Sequence, residues 1–357
     1  MQLNNRKQNL QNFVLIFQST ITPTNFAKYL TEFLSVYLPT QKNVSKNTIN
    51  SYRDTFKLLI KFCKEIKNIS SEQITLDTLS SELIIDFLKW IEVNRKCSIS
   101  TRNQRLAAIH SFFRYLQAEE PSGIFHFQKV TAIPIKKPKK AIIEHLTPEA
   151  IKLLLEQPDK HSARGRRDLV LMSTLYDSGA RVQELIDIRV CDVTLQAPAI
   201  ITLTGKGNRA RRVPIMKNTA SLLQNYILEN KLDKPWKNEY PLFINNQHHK
   251  LTKEGVAHIV SKYATFARKA STIIPFKVKV HMFRHSKAMH LLQAGVNLIY
   301  IRDFLGHIDL KTTEIYARID TEVKRKAIEN VYPDLIESNL PDWSKDQTLL
   351  SWLSELK

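Results

Sequence analysis

The sequence predicts a mainly α-helical protein in two domains, with a small β-sheet in the second. Apolar residues recur at helical spacing in four successive sets between residues 24 and 120. A stretch rich in proline and lysine, 121–145, then interrupts that pattern. Beyond it, two short alternating runs, Ile200–Leu203 and Arg211–Ile215, flank Gly205-Lys206-Gly207-Asn208, the composition of a hairpin turn. At 357 residues the chain is long enough to build a core in each domain.

Residues 1–23 form a leader with no assigned role. The first helical set is Phe26, Tyr29, Leu30, Phe33 and Leu34; the second is Tyr52, Phe56, Leu59, Ile60 and Phe62, behind a Ser45 cap. Leu83, Ile84, Phe87, Leu88 and Trp90 make the third set. The fourth starts after Ser100-Thr101 and carries Leu106, Ile109, Phe112, Phe113 and Leu116. Four helices with short polar links suggest a bundle. In 121–145, Pro121, Gly123, Pro134 and Pro138 oppose regular structure, and Lys136, Lys137, Lys139 and Lys140 add a basic run, so a linker is expected. Thr147 then caps a helix with Pro148 in its first turn. Helices are expected at about 148–156, 165–177, 217–229, 252–269 and 281–294, with a short one around Tyr316. Arg181 opens another, with Glu184 three residues on along the same face. Residues 323–331 read as a further helix. The terminal stripe Leu349, Leu350, Trp352, Leu353 and Leu356 follows a possible Ser344 cap and packs either on its own domain or on a neighbour.

The formal net charge of +19 and pI near 9.7 favour a polyanionic partner, nucleic acid first, bound with strong salt dependence. Lys46, Asn47, Thr48 and Arg53, then Thr101, Arg102, Asn103 and Arg105, supply side chains that pair with phosphates and base edges, or simply a solvated face. Arg209, Arg211 and Arg212 read the same way. The three cysteines, Cys63, Cys97 and Cys191, form no Cys-x-x-Cys and fit a reducing, cytoplasmic setting. Phe13–Phe17 is too short to span a bilayer. The absence of a P-loop and of Gly-x-Gly-x-x-Gly disfavours ATP-driven and dinucleotide chemistry.

The ordered set Arg181, Lys206, His281-x-x-Arg284, Gly306-His307 and Tyr316 resembles the active-site signature of tyrosine recombinases, the phage integrase family. Ser45 to Tyr52 and Ser100 to Leu106 resemble that family's SAM-like core-binding domain. The resemblance implies a two-domain C-shaped clamp: a SAM-like domain at 24–120, a basic linker at 121–145, an α+β catalytic domain at 146–320, and a helical tail at 321–357 exchanged between protomers. It implies a Xer-like or mobile-element enzyme acting on a double-stranded recombination site at the bacterial nucleoid. Such an enzyme is a monomer or dimer when free and a tetramer on DNA, with an accessory protein able to set direction. Phe283 and Lys287 depart from the family's usual residues, but neither replaces a catalytic group.

Phosphodiester chemistry gives each of these residues a task. A tyrosine with a reference pKa of about 10 becomes a nucleophile only if phosphorane charge is neutralised and its proton is carried away. Arg181 and Arg284 can each fork onto non-bridging oxygens. His281 and His307 can donate to phosphate or take a proton. Lys206 can protonate the leaving 5′-oxygen, and Glu184 can orient Arg181 or His281. A 3′-phosphotyrosine conserves the bond energy, so no metal or other cofactor is needed. His281 and His285, at i and i+4, have no third zinc ligand with metal spacing. Two alternatives share much of this pattern: relaxation of supercoils in the manner of type IB topoisomerases, and DNA binding without chemistry. A metal-dependent transposase would need an acidic triad that is not evident.

Overall fold

The computed structural model describes residues 23–138, 143–205, 207–307, 309, 311–319 and 347–355, in two compact units, Met1–Ala141 and Ile142–Lys357. The expected leader, the 323–331 helix, the Ser344 cap, Lys206, Lys139 and Lys140 lie outside the described residues.

In the first unit, α1 (Asn25–Glu32) starts where the Thr24 hydroxyl accepts the Ala27 amide, and it continues as a π-helical segment, Phe33–Gln41. Ser45 caps α2 (Lys46–Ile66) by accepting the Thr48 amide at 3.3 Å. α3 spans Ser81–Val93 and α4 spans Ile99–Glu119. The cap of α4 is Ser98, ahead of the expected Ser100-Thr101, because the Ser98 hydroxyl accepts the Thr101 amide at 3.2 Å. Phe26, Phe33, Phe56 and Phe112 fill the space between α1, α2 and α4, with the Phe33 and Phe112 rings 5.3 Å apart in an edge contact.

The expected linker needs correcting. Pro121–Gly123 forms a 3₁₀ turn that leads into α5 (Ile124–Thr131), and Phe127 and Val130 of α5 enter the first core. Proline at the head of a helical turn loses no needed amide bond, so Pro121 starts the turn where it was read as a breaker. Residues three apart then share a face, which buries both side chains.

In the second unit, Thr147 caps α6 (Pro148–Glu156) and Ser162 caps α7 (Ala163–Ser178). Gly179 closes α7 with φ of +57°, and α8 (Val182–Asp187) follows. Strands β1 (Val193–Thr194), β2 (Ile200–Thr204) and β3 (Ala210–Pro214) form an antiparallel sheet in the order β1-β2-β3. The register pairs Ile201 with Val213 and Leu203 with Arg211, so these side chains share the core face. Four helices follow: α9 (Lys217–Glu229), α10 (Lys253–Ala270), α11 (Val280–Gln293) and α12 (Leu298–Leu305). Gly306, at φ of +66°, ends α12 before α13 (Lys311–Ile319) and the terminal α14 (Gln347–Glu355). Among the described residues, no helix is long and apolar enough to cross a membrane.

Removing the buried ring in Phe127→Ala should cost about 3–5 kcal/mol. Denaturant unfolding of the variant measures this, and a loss below about 1 kcal/mol would show that α5 is not part of the first core.

Candidate active site

The site is built on a helix start. Leaving Gly179, the chain places Arg181 in extended backbone just ahead of α8, and the third residue of that helix, Glu184, turns back toward it. One Glu184 oxygen accepts the Arg181 amide at 2.9 Å; the other accepts Arg181 Nη1 at 2.8 Å. Arg211 then adds a fork, Nη1 at 3.0 Å and Nη2 at 2.7 Å, and Arg284 Nη1 lies 4.0 Å away. Glu184 is only 3% exposed. Burial alone would raise its carboxyl, but the bonds from Arg211 and from the Arg181 amide and guanidinium bring it down to about 2.

Arg284, on α11, is buried and donates Nη1 to the Gly179 carbonyl at 2.7 Å and Nη2 to the Leu305 carbonyl at 2.6 Å. Burial, then the like charges of Arg181 and Arg211, push it down to about 9, so it stays a cation at neutral pH. Both carbonyls stand beside helix-ending glycines. A Cβ on Gly179 would meet Phe304 at 3.1 Å, and one on Gly306 would meet Arg211 at 2.9 Å. Close approach as well as positive φ therefore requires glycine there.

Three imidazoles surround this group. His307 follows Gly306 and shares a hydrogen bond with the Thr313 hydroxyl at 2.9 Å; burial, then Arg284, Arg181 and Arg211, hold it down at about 4. His281 is exposed at the start of α11 and is pushed down by desolvation of its ring, then by Arg284 and Arg181. His285, one turn along, shares a hydrogen bond between Nδ1 and the Tyr316 hydroxyl at 2.8 Å. Burial, then His281 and Arg284, hold His285 down at about 4, so it is neutral at pH 7. Tyr316, on α13, is 1% exposed. Burial raises its phenol, while Arg284 and Arg181 pull it the other way. A cavity of about 580 Å³ opens beside this group, lined by Arg181, Arg209, Arg211, His307 and Thr312.

Arg181, His281, Arg284, His307 and Tyr316 are thus brought into one patch. Sequence reasoning missed two members, His285 at the phenol and Arg211 at the carboxylate. The signals were faint: His285 sits one turn from His281, and Arg211 shares the two-residue period of Val213 and Ile215. Among the described residues, no group of histidine, cysteine or acidic side chains has the makings of a metal site.

The residues expected to face DNA divide. Lys46, Asn47, Arg53, Lys137 and Arg209 are exposed, and Thr48 and Thr101 are half-buried beside their capping serines. Arg102 is a correction: it is 5% exposed, sits 3.3 Å from Glu92, and donates to the Pro134 carbonyl. It falls on the core side of α4. Asn103 donates to the Lys136 carbonyl, Lys136 pairs with Glu92, and Arg105 ties α4 to α2 through the Ser51 carbonyl and Thr55 hydroxyl. Arg211 is the other correction, turned inward by the strand register to Glu184 and the Phe304 carbonyl.

Comparison with known proteins places this geometry. Residues 144–322 match the phage integrase family, and residues 30–120 match the phage integrase N-terminal SAM-like domain. The protein y4rC of Sinorhizobium fredii is 32% identical over 334 residues, covering 93% of this chain and 98% of its own. Tyrosine recombinase XerC of Thermodesulfovibrio yellowstonii is 31% identical over 301 residues, covering 83% and 93%. In fold, the chain is similar to XerH site-specific recombinase in a post-cleavage complex with palindromic difH substrate, with TM-score 0.64, 24% identity and 80% of each chain covered.

Glu184 gives the site a signed pH dependence. Its folded-state carboxyl lies near 2, below the ordinary 4.5, so the unfolded chain takes up that proton first as pH falls. The stabilisation is fully present above the ordinary value and is lost as pH falls toward the folded one. Glu184→Gln should flatten this part of the acid profile in denaturant titrations. An unaltered acid slope would show that the carboxylate is not held by its arginines.

Proposed function

Because the chain belongs to the phage integrase family and is a tyrosine-type site-specific recombinase, we propose that Tyr316 attacks a DNA phosphorus to form a 3′-phosphotyrosine, within a tetramer assembled on the recombination site. The observation that carries this reading is the Tyr316 phenol held in one patch with two guanidiniums, Arg181 and Arg284, whose positions are set by buried acceptors.

The phosphate enters the cavity beside Arg181, and its non-bridging oxygens take bonds from Arg181 and Arg284, with His281 and His307 as further donors. The Tyr316 oxygen forms the new bond to phosphorus and the bond to the 5′-oxygen breaks. The phenolic proton passes to a neighbouring imidazole, His285 being the one in contact, and Lys206 protonates the departing 5′-oxygen. A freed 5′-hydroxyl from a partner strand reverses the step and completes the exchange. Because Tyr316 is buried, DNA engagement uncovers it. Lys46, Asn47 and Arg53 on α2, together with Arg209 and Lys137, face the duplex and account for the expected salt dependence.

Support for the assembly comes from α14. Trp352 and Leu353 are 57% and 52% exposed. Their apolar surface supports lending this helix to a neighbouring protomer. An accessory protein sets the direction of exchange on nucleoid DNA.

Trapping the protein on genomic DNA and sequencing the attached ends locates the site, and nicked duplexes carrying it then test the chemistry. Tyr316→Phe should abolish the covalent adduct on denaturing gels and leave the Kd within about twofold; a matching loss of binding would make Tyr316 structural. Deleting residues 342–357 should weaken the synaptic complex by tenfold or more, about 1.4 kcal/mol, with single-protomer binding kept. An undisturbed synaptic complex on native gels would refute the lent helix.

A further inference from the structure

We propose that Arg211 is a positioning residue for the cleavage step: it clamps the Glu184 carboxylate to the backbone before Gly306-His307, so that Arg181 and His307 face one phosphate. This rests on the assignment of Tyr316 as nucleophile.

The register of β3 sends Arg211 inward, opposite Leu203 and on the same face as Val213. Its guanidinium then makes three bonds, two to one carboxylate and one to a backbone carbonyl. Nη1 and Nη2 donate to the two oxygens of Glu184 at 3.0 and 2.7 Å, and Nε donates to the Phe304 carbonyl at 3.0 Å. The next carbonyl, that of Leu305, is the one that receives Arg284. Gly306 lies against the Arg211 side chain so closely that any Cβ would have to displace it. One planar fork therefore joins three elements that carry the chemistry: α8 with Arg181, the end of α12 with His307, and the strand that leaves the hairpin.

The side chain is 13% exposed, in contrast to 39% for Arg181. Both side chains line the cavity, but Arg181 is the more open of the two, whereas each guanidinium nitrogen of Arg211 already donates to a protein acceptor. Glu184 is the carboxylate facing Arg181, Arg211 and Arg284, so removing Arg211 leaves two cations to hold it, and Arg284 is the more distant one. A lysine at 211 would keep the charge but not the fork, and one ammonium cannot span both carboxylate oxygens and a carbonyl on the far side.

Arg211→Gln and Arg211→Lys are compared with wild type on nicked DNA carrying the trapped site, at saturating DNA. Both variants should form adduct at least tenfold more slowly, with DNA Kd within twofold and the slope of log K against log salt unchanged. In Arg211→Gln, Glu184 loses its fork and titrates at higher pH, so the acid limb of the adduct rate should move to higher pH than in wild type; a purely structural defect would lower the rate evenly at all pH. Arg211→Lys guards against failure of the glutamine variant to fold. A full cleavage rate in Arg211→Lys would overturn the clamp. So would a salt slope reduced by about one with cleavage at saturation unchanged, which marks a phosphate contact. Adduct formation by wild type, scored on the same gels, tests the Tyr316 assignment separately.

Discussion

A single buried carboxylate surrounded by three guanidiniums is the constraint on which the catalytic unit depends. Placing Arg181, Arg211 and Arg284 close together would be strongly unfavourable without a counter-charge, because burial strengthens like-charge repulsion along with every other electrostatic term. Glu184 supplies that charge, and backbone carbonyls at Gly179, Leu305 and Phe304 supply the remaining acceptors. The guanidiniums are therefore held in place by acceptors of the protein itself. Catalysis of phosphoryl transfer depends on such preorganisation, since donors already aimed at the developing charge need not reorganise during reaction.

Burial first, and the same positive field second, explain the state of the imidazoles. His281, His285 and His307 are each pushed toward the neutral form by desolvation, and neighbouring positive charge adds to it. A neutral imidazole has one donor and one acceptor nitrogen, which suits hydrogen bonding to a hydroxyl such as that of Tyr316 or Thr313. An anion bound among these arginines would offset their charge and so raise the basicity of the rings.

Packing sets the positions that electrostatics then uses. α7 and α11 bury Leu171, Leu175, Met282 and Phe283 in one core, and this fixes the carbonyl of Gly179 against Arg284. A second cluster, with Ala288, Met289, Ile301 and Leu305, surrounds Tyr316 itself. Tyr316 is thus part of a hydrophobic core, and that packing shields its phenol from solvent.

Much of this was legible in the sequence. Helix periodicity, the serine and threonine caps and the helix-ending glycines are local signals, because backbone hydrogen bonding and side-chain period act within one or two turns. They place α6 to α11 to within a residue or two and order Arg181, His281, Arg284, His307 and Tyr316 along the chain. α5 escaped this reading because Pro121 and Gly123 look like breakers until Phe127 and Val130 have a core to enter. Tertiary structure alone decided where the polar side chains point: Arg102 to Glu92, Arg211 to Glu184, and His285 to Tyr316. The reason is that an arginine or histidine has no period of its own. Its direction is set by the partner that folding brings to it, and those partners lie from 10 to 31 residues away in the chain.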